Sequence, residues 1–369
     1  MDKTTQIPFY LKISQISIGI VAFVFVLYIG QDIILPLIYA TILAILLNPF
    51  VNFLCRKRFN RVLSILIALF LAVIVLSALV YFISSQATMF SDTFPQVKAK
   101  LDILFNQFTG WISDTFNVST SKVKAWFNNT QKESMKESSV YIGQTISTLS
   151  SVLVTTFLLP VYIFMILFYK PLLLTFISML FPQDKHATVV EVLSETKALI
   201  QNYLIGLLLE AAIVAALNAA GLFILGIEYA VLLGILGALL NLIPYIGGIV
   251  GIALPMIIAL ATKPIEYVLY VFGVYILVQF IDNNFLVPKI VASKVKINAL
   301  VSIVVVLIGG ALWGVPGMFL SIPLTAIIKV MCDRIQPLKP LGFLLGDTMP
   351  SIVKFKFNMP KKAVKVKTD

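Results

Sequence analysis

The chain has 369 residues, of which 59% are hydrophobic and only 12% charged, with a mean hydropathy of +0.99. Soluble domains carry about twice that share of charge, so the composition excludes an ordinary soluble enzyme or binding module and points to a polytopic membrane protein. The net charge of +11 does not indicate a nucleic-acid partner, because no aromatic-basic motif accompanies it and the basic residues cluster just outside apolar runs, as the positive-inside rule requires.

Six full spans are predicted, at 13–30, 33–54, 62–84, 145–169, 203–227 and 265–287. Lys3 and Lys12 precede the first, but no small-residue cleavage pattern follows before Gln31-Asp32, so it reads as a retained span. Val62–Ser84 carries no charge and exceeds the roughly 18 apolar residues that mark a spanning helix. Arg56, Lys57, Arg58 and Arg61 place the loop before it in the cytosol. Alternation then puts the N-terminus inside, residues 85–144 outside and 170–202 inside. In the outer insertion Val97, Leu101, Leu104, Phe105, Phe108, Trp111 and Ile112 recur at helical spacing. Ser119-Thr120-Ser121 is the expected cap of a second helix carrying Val123, Trp126 and Phe127. This insertion is expected to be a small helical subdomain packed on itself or on a neighbouring subunit, with a lid or a membrane-surface helix as the alternative. The inner stripe Val189, Leu193, Thr196, Ile200 and Tyr203 feeds directly into the fifth span.

Two further apolar segments, 231–262 and 299–331, are broken in the middle by glycine and proline. Proline removes a backbone donor and frees carbonyls. Inside a bilayer such a break is tolerated only where the backbone is packed in protein or lines a wet cavity. Lys289, Lys294, Lys296 and the basic tail all ask to be cytosolic. That is met if each broken segment is a re-entrant helical hairpin, the first returning to the outer face and the second to the inner, as an inverted pair. Full crossings by both segments are the alternative. The expected organisation is a three-span segment at 1–84, the insertion at 85–144, a transport core at 145–333 and a basic cytosolic tail at 334–369.

The breaks supply the first candidate solute contacts: Asn241, Pro244, Tyr245, Gly247 and Gly248, and then Gly314, Pro316 and Gly317. Half-helix ends there would present main-chain groups to a solute; close helix packing is the plainer use of the same glycines. Gln279, Asp282, Asn283 and Asn284 add side-chain contacts near the inner end of the sixth span. Charges inside spans are functional hypotheses by default, which singles out Glu210 and Asp282 as candidates for a coupling ion. Glu210 shares a helix face with Gly206, Val214, Asn218 and Gly221, so burial within a bundle explains it equally well. Asp282 is open to a plain reading too, as a cap or a bridge to a neighbouring hairpin. No phosphate loop, dinucleotide fingerprint, HExxH or GxSxG occurs. Cys55, Cys332 and the lone His186 offer no metal site or disulfide framework. An enzyme, a cofactor and a metal are therefore not expected.

The runs Asn241–Gly247, Gln279–Lys289, Leu307–Gly314 and Leu320–Leu324 resemble the autoinducer-2 exporter family of bacterial membrane proteins. The likeness is specific in the C-terminal half and covers the rest only in layout. It implies a homo-oligomeric transporter, a pentamer, with inverted repeats. Some members are linked to export of autoinducer-2, others to exchange of sodium or lithium for protons. Two positions depart from the family pattern: Glu210, following Tyr203-Leu-Ile-Gly206, and Asn283 within Asp282-Asn283-Asn284.

The expected function is therefore a secondary exporter of a small polar metabolite across the bacterial inner membrane. Both termini would be cytosolic, with the basic tail against anionic headgroups. A sodium or lithium/proton antiporter is the alternative, and a non-transporting oligomeric scaffold a further one.

Overall fold

The computed structural model describes residues 8–116, 158–243, 247–292 and 295–347, together with 119, 121 and 125. The expectations for Pro244, Tyr245, the second helix of the insertion and the lysine-rich tail beyond Asp347 fall outside these residues. The described chain is all-α apart from an isolated bridge between Ile297 and Gly346. Five of its helices are long and apolar enough to cross a membrane, or six if one bent pair counts as a span.

The helices are α1 (Phe9–Ile29), α2 (Gln31–Arg56), α3 (Arg61–Phe116) and the pair α4 (Leu158–Phe168) and α5 (Lys170–Met179), bent by 64°. Next come α6 (His186–Ile224), α7 (Ala230–Asn241), α8 (Gly247–Thr262) and α9 (Glu266–Ile281). A π-helical segment, Asp282–Ala292, leads to α10 (Ala299–Arg334) and the short α11 (Lys339–Leu345). α3 does not end near Ser84. It runs on without a break through Pro95 into the segment read as an insertion. Along that extension Leu104, Phe105 and Ile112 are partly buried, while Phe108 and Trp111 are exposed and stack on each other at 6.1 Å.

α6 is the central strut and touches α2, α7, α9, α10 and the π-helical segment. Its buried residues Tyr203, Gly206, Glu210, Val214 and Asn218 repeat at steps of three or four, one face of a helix. Small residues let backbones meet there. A Cβ on Gly234 of α7 would lie 2.7 Å from the main chain of Ala219, and one on Gly206 would lie 2.7 Å from the carbonyl oxygen of Ile290.

Both broken segments fold back on themselves. In the first, Gly251 of α8 packs on Gly237 of α7, and Gly247 lies against the carbonyl of Leu240. Lys263, at the far end of α8, returns beside Gly226, just past the end of α6. In the second, helical geometry fails at Trp313 and at Gly314, whose φ is 63° and ψ −145°. Gly309 then packs on Gly317, and Gly310 on Met318. The two ends of α10 are clasped together. Asn298 donates to the carbonyls of Leu344 (2.7 Å) and Gly346 (3.0 Å), Gly342 lies against Asp333, and Arg334 pairs with Glu191 (2.9 Å) and Glu195 (2.5 Å) in the first turns of α6. The open ends of the two hairpins therefore lie at opposite ends of α6, about 44 Å apart along its axis.

Candidate functional site

A cavity of about 970 Å³ lies between α6, the first hairpin, α9, the π-helical segment and the arms of α10. Tyr203, Leu207 and Glu210, at helical spacing, form the α6 wall. Asn241, Leu242 and Gly248 contribute the broken tip of the first hairpin. Facing them, Tyr275, Gln279, Asp282 and Asn283 come from α9 and the start of the π-helical turn. Ala299, Ser302 and Asp347 line the end of the cavity beside the α10 clasp.

The middle of this cavity is polar. Asn241 donates to Asp282 through Nδ2 to Oδ2 at 2.8 Å, and Gln279 donates to Asn283 at 3.2 Å. Asp282 is 1% exposed and Glu210 5%. The second oxygen of Asp282, Oδ1, is buried without a hydrogen-bond partner. The break between α7 and α8 is what brings Asn241 here, because it ends α7 with its last side chain facing α9. The π winding after Ile281 changes the rotation per residue, and in this segment Asp282, Asn283 and Val287 all reach the same cavity. Behind the wall, a chamber of about 10 Å³ between α6, the hairpin and α9 touches Asn218, Gly237 and Tyr275. It has room for about one water, and the Oδ1 of Asn218 and the hydroxyl of Tyr275 are buried there without partners.

The cavity thus gathers Asn241, Gly248, Gln279, Asp282, Asn283 and Glu210 from the sequence candidates. Gly247 sits behind them, against Leu240, and Asn284 turns away to donate to the carbonyl of Phe280 at 2.8 Å. Gly314, Pro316 and Gly317 are not on the cavity wall. They form the tip of the second hairpin, which docks on the first two helices: Trp313 donates to the carbonyl of Leu27 and Tyr39 to that of Pro316, both at 3.1 Å. The arms of α10, not its break, reach the cavity, through Ala299, Ser302 and Ile322. Tyr203, Tyr275, Ser302 and Asp347 were absent from the sequence candidates. Tyr203 and Tyr275 stand two turns before Glu210 and Asp282, so helical spacing from those carboxylates finds them. Ser302 and Asp347 reach the cavity through the clasp, which carries no local signal. Among the described residues no group of three His, Cys, Asp or Glu side chains can hold a metal ion.

Such a cavity, lined mostly by apolar side chains with a few amides and carboxylates among them, suits a small polar solute. The match to known proteins agrees in kind. The AI-2E family transporter model matches residues 18–336. A putative transport protein of Haemophilus influenzae is 26% identical over 91% of this chain and 97% of its own. The putative transport protein YrrI of Bacillus subtilis is 27% identical over 82% of this chain and 86% of its own. The AI-2 transport protein TqsA of Escherichia coli is 26% identical over 86% of this chain and 90% of its own. A multi-pass helical chain with a polar cavity beside a broken hairpin, matched along most of its length, belongs to the AI-2E family of transporters.

Proposed function

We propose that this transporter exports a small, neutral, hydroxyl-bearing metabolite of the autoinducer-2 kind from the cytosol across the bacterial inner membrane. The observation that carries this is the polar centre of the cavity, where Asn241 at the broken hairpin tip meets Asp282 and Gln279 stands beside Asn283. Amides and a carboxylate recognise hydroxyls, and a hairpin that moves against α6 and α9 would expose them to either side in turn. The orientation we propose has both termini in the cytosol, the two hairpins as an inverted pair, the basic tail near anionic headgroups and the chain assembled as a homo-oligomer. No chemical reaction is assigned to it. The test is efflux of labelled autoinducer-2 from proteoliposomes holding the full chain. Saturable efflux that falls in Asn241→Leu is expected; no efflux above empty liposomes would overturn the proposal.

A second reading is favoured by one observation: Glu210 and Asp282 line the same cavity. Two carboxylates there suit exchange of sodium or lithium for a proton. Acidification of proteoliposomes driven by a sodium gradient, without solute, would put that reading first.

A further inference from the structure

Away from the cavity, five helices meet at one corner near the α2–α3 loop. Gln201 of α6 donates to the carbonyl of Ile45 in α2 at 2.7 Å. One turn further along α2, Asn48 accepts from the Lys170 ammonium at 3.0 Å. One turn back along α6 lies Lys197. Arg61, first in α3, donates to the carbonyl of Leu167 at 2.6 Å, at the end of α4. Lys170 begins α5, and the positive charges of Lys197 and Arg61 bear on it.

Two features of this corner ask for an anion. None of the three cations has an acidic partner among the described residues; the ion pairs found there engage Lys185, Lys329 and Arg334 instead. Like charges gathered at a membrane edge repel, and the low dielectric strengthens that repulsion. Asn48 is 5% exposed, and its Nδ2, a donor, is buried without a partner.

We propose that Arg61, Lys170 and Lys197 form a binding site for a phosphate group, carried on an anionic phospholipid of the cytosolic leaflet. Arg61 keeps donors free for a phosphate after binding Leu167, and lysine adds point charge. Arg61 and Lys170 each begin a helix at this corner, next to the basic loop that holds Arg56, Lys57 and Arg58. α5 turns away at 64° and exposes Leu172 and Phe176 beside it, an apolar wall for acyl chains. Basic pockets between helices on the cytoplasmic side hold such headgroups by the same physics.

The test is the melting temperature of the full chain in vesicles of phosphatidylcholine alone, of phosphatidylcholine with phosphatidylglycerol, and of phosphatidylcholine with inorganic phosphate in the buffer. Phosphatidylglycerol should raise it, and Lys197→Gln, an exposed position, should lose most of that gain. In phosphatidylcholine alone the same variant should melt no lower than the parent, because it removes one of three repelling charges. Lys170→Gln should also lose most of the gain, but should melt lower in phosphatidylcholine alone, because Asn48 loses its bond to the ammonium. Lys185→Gln, whose lysine already pairs with Asp184, should keep the full gain. An equal gain in parent and Lys197→Gln would overturn the site, as would no gain from either additive. A gain from inorganic phosphate matching that from phosphatidylglycerol would overturn the lipid source.

Discussion

Asp282 is the most buried charge at the cavity, with Oδ2 on Asn241 and Oδ1 unpaired. Asn241→Leu keeps the side chain's size and removes the only donor found among the described residues. A buried acceptor left unpaired costs about 1–3 kcal/mol, and a charged one more, so the variant should melt lower and transport more slowly. Asp282→Asn should melt at least as high as the parent, because it removes a charge that is only half paired. Melting and flux on the same preparations check both. Glu210→Gln separates the two transport readings. The amide keeps the shape and can still hydrogen-bond, so under the export proposal solute efflux and its pH profile should match the parent. Loss of sodium-driven proton movement in that variant, with assembly intact, would shift the assignment to antiport.

The first hairpin breaks between α7 and α8, and its two adjacent glycines are not equivalent. A Cβ on Gly247 would collide with the carbonyl of Leu240, whereas one on Gly248 would meet only the tip of Gln279, at 3.1 Å. Gly247→Ala should therefore abolish transport while Gly248→Ala retains a good part of it; equal loss in both would mean the tip is not held by this contact. Gly314 is a third case. Nothing lies within 4 Å of a Cβ there, but its φ is +63°, so Gly314→Ala should cost about 1–3 kcal/mol through backbone strain alone. Much of this element structure was legible. The buried face of α6 was read from its spacing, because small and polar residues repeat at the helical period. The α10 break was read from Gly314–Gly317, where two glycines and a proline leave no continuous helix; the structure adds Trp313 to it. The length of α3 was not legible. Its polar run after Ser84 looks like an exit from the helix, yet Ser85 and Thr88 turn their hydroxyls back onto carbonyls of the preceding turn, at 2.9 and 2.7 Å, and the helix continues. The π winding from Asp282 left no compositional mark. The docking of the second tip on α1 and α2 joins residues too far apart in the chain for any periodicity to report.

As a whole, the molecule sets two folded-back hairpins against one long strut. Neither arm of α10 needs to cross a bilayer, because its ends return to one place, held by Asn298 and by Arg334 on Glu191 and Glu195. The Arg334 pairs are partly exposed, at 35% against 51% and 43%, so solvent screens them and they add little. Asn298 is the firmer half of the clasp: it also accepts from Val301 as the N-cap of α10, so Asn298→Ala should destabilise by about 1–2 kcal/mol from the cap alone. The hairpin geometry makes a stronger prediction about sidedness. Gly226 and Lys263 are neighbours at one end of α6, and Asn298, Gly346 and Arg334 gather near the other. In a chain with Cys55 and Cys332 replaced by serine, single cysteines at Glu228 and Lys263 should therefore react together with an impermeant reagent on intact cells. Cysteines at Lys296 and Lys339 should react only after permeabilisation, since those positions flank the α10 clasp. Were the broken segments full crossings, Glu228 and Lys263 would label from opposite sides, and so would Lys296 and Lys339. Split labelling within either pair would exclude the hairpins; paired labelling with the sides exchanged would keep the hairpins and invert the proposed orientation.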